Sequence, residues 1–243
     1  EHAAFAVLRI GDVERAFTLA ERLPRSTIQD TELPRLLLAV DAVKKENTQV
    51  ALSYLPTPWR NDYHAMLARS LAAWSVLETD SEAAIRLQQQ SGGTDGLYAL
   101  MGQTLAAIMK VNIGDRDGAQ SDFNTLWQIN SRMAVGVEAE ARLLALTGQE
   151  ETALQRLKAF RNDVGRHPAL LALAKEIESG RVAQPAALTA AEGTALAFYI
   201  ATAPQASQGY GDAAAAYFAL AVYLDPTLDA AKALWADALD RAN

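Results

Sequence analysis

A short polar turn followed by an amphipathic stretch recurs along this chain, with apolar residues on one helical face and polar ones opposite. The turns open Gly11-Asp12-Val13-Glu14-Arg15-Ala16 and Glu46-Asn47-Thr48-Gln49-Val50-Ala51. The pattern returns as Thr79-Asp80-Ser81-Glu82-Ala83-Ala84, Gly114-Asp115-Arg116-Asp117-Gly118-Ala119 and Gly148-Gln149-Glu150-Glu151-Thr152-Ala153. The closing alanines, Ala16, Ala51, Ala84, Ala119 and Ala153, stand 35, 33, 35 and 34 residues apart. A stride this constant marks an internal repeat of helix–turn–helix units.

Each position has a physical reason. Glycine or a small polar residue ends the first helix of a pair, because the left-handed conformation costs glycine least. Asp, Asn, Thr or Ser then caps the second helix by accepting a backbone N–H bond. The alanine lets the paired helices approach closely, and Leu19, Phe123 and Leu157 are expected to fill the groove between neighbouring pairs.

Near the C-terminus, Ala214, Phe218, Ala221 and Pro226 follow the order small, aromatic, small, proline. In these residues, and in a period of ~34, the chain resembles the tetratricopeptide repeat (TPR) family. The first-helix signature departs from the family: Leu38-Ala39, Leu71-Ala72 and Ala106-Ala107 stand where it carries Leu-Gly, and its tryptophan and tyrosine positions mostly hold other residues. The Ala-rich texture and Leu224-Asp225-Pro226 also resemble bacterial, alphaproteobacterial-type envelope-associated TPR proteins, which implies a periplasmic or cell-envelope setting. The resemblance implies an all-α fold, a right-handed α-superhelical solenoid of TPR-like helix pairs.

From Ala153 to Ala214 the step is 61 residues, longer than one period. The intervening sequence reads as a helix from His167 to Ser179, a linker from Gly180 to Pro185, and a second helical stretch from about Ala187 to Ala201. The expected organisation is five TPR-like pairs over residues 1–162, an inserted helix and linker over 163–189, and a C-terminal pair plus capping helix over 190–243. One continuous solenoid is the main expectation, and a subdomain boundary near residue 180 is the other reading. Thr227 to Arg241 reads as a cap or as the first half of a further repeat. The opening Glu1-His2-Ala3-Ala4-Phe5 is already helical in character, which suggests a processed chain or a fragment with a helix upstream.

Composition sharpens this picture. Only 7% of the residues are aromatic although 50% are hydrophobic, so alanine and leucine carry the apolar surface and favour helix. The net charge of -7 argues against nucleic acid, which needs a basic face. With no cysteine, disulfides, thiolate zinc sites and thiol catalysis are excluded. The longest apolar runs, Ala213 to Leu224 and Thr194 to Ala203, fall short of the ~20 residues that span a bilayer. They read as helices buried on two sides, and no membrane insertion is expected.

Candidate chemistry is sparse. His2, His64 and His167 form no helical metal pair, and His64 reads as a surface or capping residue at a helix start. Ser91-Gly92-Gly93-Thr94-Asp95-Gly96 reads as a loop between repeats rather than a nucleophile turn. Gly209-Tyr210-Gly211 lacks the third glycine and preceding strand of a dinucleotide site. Asp115-Arg116-Asp117-Gly118 lacks the closing ligand of a calcium loop, so Asp115 and Asp117, like Glu150-Glu151, read as acidic residues opposing a helix dipole. No catalytic residue, metal or cofactor is expected, and the chain is not expected to be an enzyme.

Binding is the remaining expectation. In a curved solenoid the first helices line a concave wall. In register, that wall presents Leu36, Val40 and Lys44, then Met66, Arg69 and Ala73, then Met101, Thr104, Ile108 and Asn112, then Val135, Glu138 and Arg142. Methionine and aliphatic residues beside cations suit a protein or peptide segment. The same apolar residues also suit packing against the inserted helix or against a missing upstream repeat. A carboxylate clamp of the chaperone-tail type is not expected, because Leu36 and Val40 replace its polar residues. Trp74 and Trp127 fall at core spacing, Trp59 after Pro56-Thr57-Pro58 is the more exposed candidate, and Trp235 reads as buried against the preceding helix or as an interface residue, with the C-terminal helix then offering a homodimer surface. The expected function is a non-catalytic protein-binding scaffold; the alternative is a structural segment that positions part of a larger cell-envelope enzyme or assembly complex.

Overall fold

The computed structural model describes residues 2–56, 58–93, 96–129, 132–208 and 211–242. Glu1, Thr57, Thr94, Asp95, Gly209 and Tyr210, which the sequence reading singled out, lie outside the described residues. Among the described residues the chain forms fifteen helices and no strand. By compactness it divides into two units, residues 1–101 with 188–243, and residues 102–187.

The first unit holds α1 (His2–Arg9), α2 (Val13–Glu21), α3 (Arg25–Asp30), α4 (Glu32–Lys44), α5 (Thr48–Ser53), α6 (Asp62–Val76) and α7 (Ser81–Ser91). Helix α8 (Gly96–Asn112) begins in this unit and ends in the second. The second unit continues with α9 (Arg116–Gln128), α10 (Ala134–Leu146), α11 (Glu150–Asp163) and α12 (Pro168–Glu178). The chain then returns to the first unit as α13 (Ala190–Ser207), α14 (Gly211–Leu224) and α15 (Asp229–Ala242). Sequence neighbours pack as pairs: α1 on α2, α4 on α5, α6 on α7, α10 on α11, α13 on α14.

The repeated hexamer maps onto one structural position. Ala16, Ala51, Ala84, Ala119 and Ala153 are each the fourth residue of their helix, and all five have 0% exposure. Ala214 stands at the same place in α14. A larger side chain there would hold the paired helices apart, and overpacking of this kind is destabilising. Upstream, Asp12, Asn47, Asp80 and Asp115 accept the backbone N–H three residues on, at 3.2, 3.2, 2.9 and 3.0 Å. Each such cap contributes about 1 kcal/mol. Before three of the repeats stands a left-handed glycine, Gly11, Gly114 or Gly148; in register with them Glu46 adopts φ 58° without being glycine.

Helices α13 and α14 complete the first unit from within. Helix α13 packs against α6 and α4, and α14 packs against α1 and α4. A capping box starts α13: Thr189 accepts from the Glu192 amide while Glu192 reaches back to the Thr189 amide. Gly193 lets α13 close on α6, because a Cβ there would stand 2.1 Å from the Trp74 ring. Two edge-to-face aromatic pairs add to the packing, Phe17 with Tyr223 and Tyr63 with Tyr217, both with ring centroids 4.9 Å apart. Helix α15 packs on α14, and its Trp235 ring covers the turn at Gly11. As a result every residue of α4 from Leu33 to Val43 is buried, including Arg35 and Asp41.

The second unit has a simpler core. Val137, Ala141 and Leu144 of α10 meet Ala153, Leu157 and Phe160 of α11 and Leu170, Leu173 and Ile177 of α12. Gly136 permits the close approach of α10 to α8, since a Cβ there would lie 2.8 Å from the Thr104 methyl.

Candidate binding cleft

The expected partner wall is largely interior. Leu36, Val40, Met66, Met101, Thr104 and Ile108 are buried. In the first unit the physical reason is plain: α13 and α14 lie on the faces of α4 and α6 that were to be open. Lys44 is half-buried, and its ammonium donates to the Leu224 carbonyl at 2.9 Å. That carbonyl ends α14, where a cation complements the helix dipole. Arg69 is exposed and reaches the Gln90 carbonyl at 3.4 Å. In the second unit Asn112, Glu138 and Arg142 are half-buried, and Arg142 pairs with Glu138 and Glu176, both at 3.2 Å. Trp235 is half-buried over Gly11 within the chain.

Polar side chains fasten α13 and α14 to the first helices. The Tyr223 hydroxyl donates to Asp41 at 3.0 Å. Thr202 donates to the Phe198 carbonyl at 2.6 Å, so the Tyr63 hydroxyl is the donor in its 2.7 Å bond to Thr202. His64 is not the surface residue expected: it is half-buried, with Nδ1 2.9 Å from Glu32 and Nε2 bonded to the Tyr217 hydroxyl. The cap of α6 is its neighbour Asn61, which accepts the His64 amide at 3.1 Å. An ionised Glu32 only accepts, so His64 Nδ1 carries the proton in that bond. Burial pushes the Glu32 carboxyl up, but the amides of Arg60 and Asn61 together with His64 hold it below the usual carboxylate range. Burial also raises the Tyr63 phenol well above its ordinary value.

An open cleft of about 640 Å³ lies on another part of the first unit. Leu23, Arg25, Ile28 and Gln29 form one side, around the short helix α3. Ser53, Tyr54, Pro56 and Pro58, at the end of α5 and in the segment after it, form the other, with Glu21 at the rim. Leu38 and Arg35 of α4, exposed by only 6% each, make the floor. Arg35 builds the second side. Its guanidinium donates to the carbonyls of Thr31, Pro56 and Pro58 at 3.3, 2.7 and 3.2 Å and stacks 4.2 Å from the Trp59 ring centroid. Trp59 is therefore half-buried rather than free, and its indole donates to the Leu55 carbonyl at 3.3 Å.

Sequence reasoning missed this cleft. One signal was available: Arg35 interrupts the apolar run Leu33-Pro34-Arg35-Leu36-Leu37-Leu38, and a charge inside such a run needs a dedicated set of partners. A mixed apolar and polar lining of this size suits a chain segment or a small molecule.

The second unit contains its own buried charge. Glu140 is fully buried; it accepts from the Trp127 indole and stands 3.2 Å from the Arg156 guanidinium. Arg132 and Arg156 stack on Trp127 with centroid distances of 4.7 and 4.6 Å. Burial raises the Glu140 carboxyl above its ordinary value despite the lowering effects of Trp127, Arg156 and Gln120. These contacts join α9, α10 and α11 and leave no opening for a ligand larger than a water molecule.

Among the described residues no group of three His, Asp or Glu side chains is placed to hold a metal, and no helix is long and apolar enough to cross a membrane. Comparison of the chain with protein-family models, with curated proteins and with solved structures finds no match.

Proposed function

We propose that the protein is a non-catalytic helical-repeat scaffold of TPR type, and that it holds an extended segment of another protein in the cleft beside α3. The observation that carries this reading is the cleft itself: an opening of about 640 Å³ whose apolar side chains, Leu23, Ile28, Tyr54, Pro56 and Pro58, stand beside Arg25, Gln29 and Ser53. Apolar pockets with a few polar groups at the edge match a segment that buries side chains and still needs its backbone satisfied. The equivalent alanines and the shared caps support the TPR-type repeat. The right-handed stacking expected of such pairs belongs to the same reading.

The cleft replaces the inner wall as the seat of binding, because a partner at Leu36, Val40 or Met66 would first have to displace α13 and α14. Selection of a random peptide library on the full chain tests the proposal. Selected peptides are expected to lose at least tenfold in affinity on Ile28→Asp and on Tyr54→Ala, both surface-accessible changes with little effect on folding. Unchanged affinity in both variants, with Arg69→Glu as the control outside the cleft, rejects it.

A further inference from the structure

We infer that the cleft accepts an acidic segment, whose carboxylate supplies the counter-charge that Arg35 lacks among the described residues. This rests on the cleft being the binding site. Among the described residues three buried side chains carry formal charge, Arg35, Asp41 and Glu140. Asp41 is paired with Lys45 at 2.6 Å, and Glu140 with Arg156 at 3.2 Å. Arg35 has no such partner among the described residues. Its hydrogen bonds go to three carbonyl oxygens, and its remaining contact is the face of Trp59. These are dipoles and a quadrupole, without net negative charge.

The guanidinium cannot lose its proton, so the imbalance persists at every working pH. A buried cation without an anion is costly, and an opposite charge brought to the same poorly solvated place is attracted far more than in water. Glu32, one turn away on α4, is committed to Arg60, Asn61 and His64. One hydrogen on each terminal nitrogen of Arg35 has no described acceptor. A carboxylate can accept from the terminal nitrogens of a guanidinium. Arg25 adds a second cation to the lining and Glu21 a single anion, so the cleft is net positive on a chain of charge -7.

The test uses the full chain, labelled for NMR at arginine side chains and methyl groups, and two probes. The first is acetyl-Ala-Leu-Glu-Glu-Leu-amide; the second carries Gln in place of both Glu residues. The expected result is that the acidic peptide shifts the Arg35 Nε–H and Ile28 methyl signals and binds at least tenfold more tightly than its neutral twin. In Arg25→Gln, whose side chain is exposed and holds no part of the fold, the gap is expected to narrow. Equal binding of both peptides at these signals overturns the charge argument and leaves the cleft reading standing. Shifts confined to other residues, or none with either peptide, overturn both.

Discussion

Helices α4 and α10 hold the same place in their pairs, ahead of α5 and α11, yet they are buried in different ways. In α4 an unbroken run from Leu33 to Val43 is interior, whereas α10 buries Gly136, Val137, Glu140, Ala141, Leu143, Leu144 and Ala145 and leaves the rest partly open. The difference lies in what covers them. Helix α4 is wrapped by α2, α3, α5 and α6 and by the returning α13 and α14, while α10 packs against α9, α11 and α12 and approaches α8 at Gly136. Repeated hexamers thus set how two helices pair, and a distant stretch decides whether the remaining face meets solvent.

Two glycines give the most severe way to break this comparison. In the first unit, Gly193→Ala drives a methyl to 2.1 Å from the ring of Trp74, which is only 2% exposed and has no room to move. In the second, Gly136→Ala meets one methyl of Thr104 at 2.8 Å, which a small helix shift relieves. Chemical denaturation is expected to record losses of about 3 kcal/mol for the first and about 1 kcal/mol for the second. Equal losses would mean that the α6–α13 contact is no tighter than an ordinary helix crossing.

The turns offer a smaller and opposite pair. Glu46 pays the left-handed penalty that Gly114 avoids in the same register, and a Cβ at Gly114 would meet only open space. Glu46→Gly is expected to stabilise by about 1 kcal/mol, and Gly114→Ala to destabilise by about as much. Thermal melts of the two variants check the signs; a loss from Glu46→Gly would show that its side chain matters more than its backbone.

The smallest effects are in pH. Glu32 has a lowered folded-state pKa, so its stabilisation is complete above the ordinary carboxylate value of 4.5 and is lost as pH falls through the folded value. Glu140 is raised, so its contribution is present below 4.5 and is lost as pH rises through its folded value. Urea midpoints across that range are expected to show wild type losing its advantage over Glu32→Gln in acid. Against Glu140→Gln, the wild type is expected to lose ground in the other direction. Parallel curves for either variant would contradict the assigned shift.

Much of the local architecture was legible in the residues. Alanine at a fixed offset after a cap reads directly as a close helix crossing, and Ala16 through Ala153 occupy equivalent buried places. The helices read at His167–Ser179 and near Ala187–Ala201 correspond to α12 and α13. The apolar run Ala213 to Leu224 pointed to a helix covered on more than one side, and Ala214 to Ala221 are all buried. Its neighbours were not legible, since contacts such as Lys44 with Leu224 join residues 180 apart and leave no periodic trace. The cleft was equally hidden: α3 is too short for a helical pattern, and its opposite side is a proline-bearing segment held by one arginine.

The division of the chain also orders its birth on the ribosome. Residues 1–101 emerge first, but the helices that cover α4 and α6 lie beyond the entire 102–187 unit. At roughly 5–20 residues per second, the intervening stretch takes on the order of 4–17 s to synthesise. Through that interval Leu36, Val40 and Met66 wait without α13 and α14, while the later-made unit already has its own core. The unit begun first is therefore the one finished last.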